Sequence, residues 1–138
     1  MSDSAVPFLS ATTAVRFARP SRDIDAATHF YVELVGWENL GGFRDHHGFD
    51  GVFLGLTGAS WHLEITQNVA GAAPTPTHED LLVIYLAASP AAALCLRLRE
   101  NGCSPYPHEN PYWASVNAQC FLDPDGYTVT ICPEGDQQ

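Results

Sequence analysis

The sequence predicts an α+β fold made of two βαβββ modules. Two observations carry this: a self-similarity at an offset of 66 residues, and helix and turn punctuation at matched places in both copies. Asp23 and Ser89 stand 66 apart, each with a side-chain oxygen suited to cap a helix. Gly36 and Gly102 stand 66 apart, where those helices should stop. Leu56 and Leu122 each precede a turn, Thr57-Gly58-Ala59-Ser60 in the first copy and Asp123-Pro124-Asp125-Gly126 in the second.

Copy one has strands near 14–19, 39–44, 50–57 and 61–67 and a helix near 23–35, where Ile24, Ala27, Tyr31 and Leu34 recur at helical spacing. Copy two has strands near 81–86, 104–107, 116–122 and 127–132 and a helix near 89–101, opened by Pro90 and carrying Ala91, Leu94 and Leu98. Residues 68–80, with Gly71, Pro74 and Pro76, read as a linker. The expected organisation is a single domain over 14–133: module one 14–67, linker 68–80, module two 81–133, and an N-terminal lead-in over 1–13. Each module alone leaves a sheet face bare, and pairing the two encloses a shared concavity, a common place for a small-molecule site.

Composition narrows the chemistry. The chain has 138 residues, 46% hydrophobic and 16% charged. Its six basic residues are all arginine, at 16, 19, 22, 44, 97 and 99. The absence of lysine removes lysine Schiff-base chemistry and a Walker A phosphate site. A net charge of −10 without a basic face argues against nucleic acid and against an anionic membrane surface as partners. No apolar run reaches the ~20 residues of a membrane helix, and the first residues lack the basic start of a secretory signal. Four cysteines without C-x-x-C spacing read as reduced thiols, and the location expected is cytoplasmic. No G-x-S-x-G, G-x-G-x-x-G or H-E-x-x-H string occurs.

Three segments resemble the vicinal oxygen chelate superfamily, also called the glyoxalase/bleomycin-resistance/dioxygenase superfamily. FARPSRDIDAATHFYVELVGW (17–37) is similar to its opening strand and helix, WHLEIT (61–66) to the last strand of its first module, and FLDPDGYTVTI (121–131) to its closing hairpin. The resemblance covers about residues 14–133. It implies a cup-shaped mixed sheet with the helices outside, and commonly a homodimer. It also implies four metal-ligating positions on the first and last strands of each module. Carried over, these fall on Arg16, Glu64, Leu82 (or Leu81, one register step away) and Thr130. Only Glu64 is a usual ligand: guanidinium offers no lone pair, leucine has no donor atom, and a threonine hydroxyl is a poor substitute.

Strand alternation suggests what lines the cup instead. Val15 and Phe17 share one face, which leaves Arg16 on the other. Trp61, Leu63 and Ile65 leave His62, Glu64 and Thr66 together. Thr128, Thr130 and Cys132 face the cup, and Leu82, Ile84 and Leu86 are expected to wall it. Arg16 and Glu64 are expected to meet as an ion pair. Their reading is open: a satisfied structural pair, or an anchor for a ligand with a polar or anionic head, with Glu64 or His62 as acid–base group. Tyr112 and Trp113 are candidates to stack on a flat ligand. His46, His47 and His108 are loop histidines available to a relocated metal site.

Three functions follow. The first is a metal-independent small-molecule-binding protein with no cofactor. The second is a metal-dependent lyase, isomerase or dioxygenase in which a divalent metal sits on Glu64 with His62, His46, His47 or His108. The third is a metal-free enzyme that moves a proton with Glu64 or His62.

Overall fold

The computed structural model describes residues 7–134; the N-terminal lead-in ahead of residue 7 lies outside the described residues. Module one contains β1 (Val15–Pro20), a helix that starts as α1 (Ile24–Thr28), then β2 (Glu38–His46), β3 (Phe49–Gly55) and β4 (Trp61–Gln67). Module two contains β5 (Leu81–Leu86), α2 (Ala88–Glu100), a single-turn α3 (Tyr112–Ser115), β6 (Gln119–Leu122) and β7 (Thr128–Pro133). The first sheet has the order β1-β4-β3-β2 and the second β5-β7-β6. In each, the first strand of the module pairs in parallel with the last, and the remaining pairs are antiparallel.

Local chemistry accounts for the elements. Asp23 caps α1 by accepting from the amides of Asp25 and Ala26, both at 3.1 Å. Gln67 holds the same helix start from β4: its carbonyl accepts from the Ile24 amide at 2.9 Å and its amide donates to the Arg22 carbonyl at 2.7 Å. The helix then widens to π geometry over His29–Val35 and stops at Gly36, whose φ of 98° favours glycine. Arg97 of α2 donates to the Leu34 carbonyl at 2.7 Å, so a cation from module two closes the C-terminus of module one's helix. The Asp123–Gly126 turn closes as expected, with the Gly126 amide donating to the Asp123 carbonyl at 3.0 Å.

Four details differ from the expectation. The second helix starts at Ala88 behind Ala87, which makes no side-chain cap, so Ser89 lies inside the helix. The strand expected near 104–107 is reduced to one bridge, Tyr106 to Cys120, since prolines at 105 and 107 cannot donate to a ladder. Residues 112–115 coil into α3, and β6 begins only at Gln119. The register of β5 is one residue off: Leu82 pairs with Val129 and Ile84 with Ile131, and Leu82, Ile84 and Leu86 pack on the core. The other face of β5 belongs to Leu81, Val83 and Tyr85. β5 is apolar on both faces, so its alternation carries no sign of which face is inside.

The core is continuous across both modules, through Phe30, Tyr31, Leu34, Leu54, Leu98, Phe121, Val129 and Ile131. Fully buried Phe121 contributes about 1.5–3 kcal/mol by removal of apolar surface from water. Gly42 sits on β2 hard against β3: an added Cβ would stand 2.3 Å from the Gly51 carbonyl oxygen. The obstacle is backbone, so Gly42→Ala should force the strands apart and lower stability by about 1–3 kcal/mol, read as a lower urea midpoint at unchanged m-value.

Candidate functional site

The face of the first sheet turned away from the helices carries a compact polar and aromatic cluster. Cross-strand pairing builds it: Arg16 stands opposite His62, and Glu64 opposite Ala18 on one side and Phe53 on the other. Ala18 leaves room beside Glu64, so the long Arg16 side chain reaches diagonally. Its Nε donates to His62 Nε2 at 2.9 Å and its Nη1 to Glu64 Oε1 at 3.4 Å. Because His62 Nε2 accepts this bond, the imidazole in this arrangement is neutral, with its proton assigned to Nδ1. The guanidinium lies 4.8 Å from the Phe53 ring centroid, and Phe53 stands edge-on to His62 at 5.6 Å.

Phe43 and Phe53 continue this shelf, with ring centroids 5.9 Å apart. Phe43 lies directly over Gly51, where an added Cβ would meet its ring at 2.3 Å. Gly51, Phe53 and Gly55 alternate along β3, so a bulky residue is flanked by two bare positions on one face. That Gly-x-Phe-x-Gly string was the available signal for Phe43 and Phe53, which alternation of the polar strands alone does not disclose. The burial is asymmetric: the Glu64 side chain is 11% exposed and the Arg16 side chain 50%. A cation is thus presented at the surface and steadied from beneath by a carboxylate and an imidazole.

The remaining candidates are placed elsewhere or enclosed. Thr66 lies on the same face of β4 as Glu64, opposite Gly51. Thr130 points to the expected side of β7 but is fully buried, with its hydroxyl 3.3 Å from Cys120 Sγ, so it offers no surface to a ligand. Leu82 is part of the core side, as its register requires. Tyr112 and Trp113 belong to α3, their rings 5.0 Å apart, and Trp113 helps line a recess of about 440 Å³ with Leu81, His108 and Glu109. His46 ends β2 and His47 follows in the turn, with rings 4.5 Å apart, and His108 of module two hydrogen-bonds the His78 carbonyl of the linker.

The donor set does not fit a divalent metal at the superfamily's positions. Arg16 brings a positive charge to the first, Leu81 has no donor at the third, and Thr130 is enclosed at the fourth. Among the described residues, no group of three or more His, Cys, Asp or Glu is placed to hold a metal ion, so the relocated set of Glu64, His62, His46, His47 and His108 is not brought together. The four cysteines are free, and burial pushes each thiol above its ordinary pKa, against thiolate chemistry.

A second polar cluster joins the modules. Tyr31 O–H donates to Asp123 Oδ2 at 2.7 Å and accepts from Arg19 Nη2 at 2.9 Å. Arg19 also lies 4.1 Å from the Tyr127 ring centroid, and its Nε is buried without a hydrogen-bond partner. Burial raises the Asp123 pKa against the lowering effect of its hydrogen bonds, and burial followed by the Asp123 charge raises Tyr31 well above the usual phenol value. No local pattern marks these residues: Tyr31 reads as a helical core position and Asp123 as a turn residue.

Known proteins share this fold. The YycE-like N-terminal domain matches residues 15–66 and the YycE-like C-terminal domain residues 79–132. The uncharacterized protein YycE of Bacillus subtilis (strain 168) is 38% identical over 119 residues, 85% of this chain and 85% of that protein. The chain belongs to the YycE-like family. The crystal structure of a YycE protein of unknown function from Bacillus subtilis matches at TM-score 0.82 and 34% identity, over 92% of this chain and 95% of that one. In fold, this YycE-like chain is also similar to TnmS3, an antibiotic binding protein from Streptomyces sp. CB03234, with TM-score 0.67, 24% identity, and 92% and 99% of the two chains covered. The fosfomycin resistance protein FosX from Mesorhizobium loti matches at TM-score 0.67 and 11% identity, over 96% and 95% of the chains. These structural relatives bear out the resemblance to the glyoxalase/bleomycin-resistance superfamily read from the three sequence segments.

Proposed function

We propose that this protein binds a small molecule with a polar or anionic head, held by Arg16 on the face of the first sheet turned away from the helices. The observation that carries the reading is the half-exposed guanidinium fixed from beneath by Glu64 and His62 over an aromatic shelf. A guanidinium gripped along one edge keeps its orientation and presents N–H groups to an incoming carboxylate or phosphate. Thr66 and the Phe43 and Phe53 rings supply adjoining contacts, and Tyr112 and Trp113 extend the apolar surface only if ligand binding brings module two's recess into the same site. The shared fold with an antibiotic binding protein supports a ligand-binding use of this scaffold.

A second reading has the same residues transferring a proton without a metal. The near-complete burial of Glu64 beside a neutral His62 favours it. We assign the ligand-binding domain to 14–133, with module one 14–67, linker 68–80 and module two 81–133. We also place the protein in a reducing, cytoplasmic setting, supported by its four free thiols, and as a homodimer.

The test is a thermal-shift screen of aromatic and aliphatic carboxylates and phosphates, run beside Mg, Mn, Fe, Co, Ni and Zn. A ligand at 100 times its dissociation constant adds about 2.7 kcal/mol of stability. The expected result is a rise of several degrees with one anion class, unchanged by chelator and lost in Arg16→Ala. A shift with a metal and none with any anion would overturn the binding reading.

A further inference from the structure

The Arg16 guanidinium has committed some of its donors and kept others free. A guanidinium carries N–H groups on Nε, Nη1 and Nη2. The single Nε donor goes to His62 and one Nη1 donor to Glu64. Both Nη2 donors and the second Nη1 donor have no partner among the described residues. Nη1 and Nη2 together form the terminal fork, which a carboxylate fits with two parallel bonds in the guanidinium plane. Because Nε and Nη1 are already held by the protein, the fork keeps its aim when a ligand arrives.

The charge left for a ligand is small. Glu64 lies 3.4 Å from Nη1 and offsets much of the guanidinium's field from a nearly buried position. Arg19 and Arg44, the other arginines on strands of the first sheet, turn to the opposite face, where Arg19 meets Tyr31 and Arg44 meets Asp25, both on the first helix. The chain as a whole carries a net charge of −10. A phosphate dianion would meet one cation already matched by a carboxylate, and its second charge would find only repulsion. A monoanion asks no more than the fork supplies.

Beside the fork the site offers aromatic area. The strand order β1-β4-β3-β2 sets Arg16, Phe53 and Phe43 in a row across the sheet. The Phe53 ring centroid is 4.8 Å from Arg16 Cζ, and the Phe43 ring follows 5.9 Å farther on. Those are spacings of rings in contact, so a ring attached directly to a carboxylate on the fork reaches Phe53, and a conjugated extension reaches Phe43. Gly51 and Gly55 flank Phe53 on β3, so no side chain of that strand stands beside its ring. We infer that the ligand of this site is a flat aromatic monocarboxylate, its carboxylate on the Arg16 fork and its ring on the Phe53–Phe43 shelf. The inference rests on the Arg16 binding reading above and narrows it to one chemical class.

The experiment is a heteronuclear NMR titration of the full chain with benzoate, cyclohexanecarboxylate and phenyl phosphate, at a mildly alkaline pH that keeps the phosphate a dianion. Wild type is compared with Arg16→Ala, Glu64→Gln, Phe53→Leu and Phe43→Leu, and the spectrum of each variant shows whether it is folded. Benzoate is expected to shift the amides around Arg16 and Phe53 and to bind about 5- to 10-fold more tightly than cyclohexanecarboxylate, the margin an aromatic contact supplies. That ratio should fall toward one in either phenylalanine variant. Phenyl phosphate should bind more weakly than benzoate, and Glu64→Gln should improve it more than it improves benzoate. If all three anions bind and Arg16→Ala abolishes them, but cyclohexanecarboxylate matches benzoate or phenyl phosphate exceeds it, the ligand class is wrong and the Arg16 anchor stands. If no anion binds, or binding survives Arg16→Ala, the anchor and the class fall together.

Discussion

Asp123→Ala should lower the melting temperature by about 10–15 °C, the largest stability effect expected of any single polar substitution in the chain. Asp123 Oδ1 accepts from the amides of Asp125 and Tyr127 at 2.8 and 2.9 Å, and Oδ2 accepts from the Tyr31 hydroxyl at 2.7 Å. Alanine would strand two buried amides and a buried hydroxyl, and leave the Arg19 guanidinium without the carboxylate 3.9 Å away. Breaking a buried network of this kind costs about 3–5 kcal/mol, and in a domain of this size each kcal/mol moves the midpoint by about 3–4 °C. Asp123→Asn keeps the acceptor for the two amides but sets an amide N–H against the Tyr31 hydroxyl and loses the charge facing Arg19, so it should cost less than alanine, about 1–3 kcal/mol.

The same residue sets a pH dependence with a defined sign. Burial raises the Asp123 pKa in the folded state above its unfolded value. The folded state therefore binds more protons across the window between the two, and stability falls as pH rises through it, levelling off above the folded value. Urea unfolding of wild type and Asp123→Asn across mildly acidic pH measures this directly: the downward slope should be present in the first and missing in the second. Equal slopes would remove Asp123 as its origin.

Arg16→Ala should separate binding from stability. Half of the Arg16 side chain is in water, so its pair with Glu64 contributes at most about 1 kcal/mol to the fold. The hydrogen bonds it would give an anionic ligand are worth about 1.5–3 kcal/mol each, or roughly 10- to 150-fold in affinity per bond. Arg16→Lys keeps the charge but not the planar fork and should fall between. Glu64→Gln has an informative sign. It removes the carboxylate that offsets the guanidinium, so an anionic ligand should bind a few-fold more tightly, whereas proton transfer by Glu64 would be abolished. Titration calorimetry on the first anion from the thermal-shift screen, together with a turnover assay on the same compound, decides between the two readings.

The parts of the molecule legible in the chain share a physical cause. β4 places apolar side chains on one face and polar ones on the other, and in β1 Val15 and Phe17 share the face opposite Arg16, so period-2 alternation brings Arg16, His62 and Glu64 to one surface without any knowledge of the rest. Helix ends carry their own chemistry in Asp23, Gly36 and Gly102, and the Asp123–Gly126 turn is written in its residue types. The repeated order of elements, and with it the α+β class, follows from these local signals.

What local signals omit is set by packing between residues far apart in the chain. β5 reads the same from both sides, so only its pairing with β7 decides that Leu82 faces the core while Leu81, Val83 and Tyr85 turn outward. Thr130 alternates correctly, yet its burial depends on what the rest of the fold lays over it. Tyr31 and Asp123 are 92 positions apart, and their bond exists only because the first helix docks against the closing turn of the second module. Alternation, caps and turns are interactions among neighbours and are written residue by residue. Register between two apolar faces, the seam between modules and the exposure of a given side chain are properties of the assembled core, where burial and hydrogen-bond satisfaction choose among arrangements that the local pattern leaves equivalent.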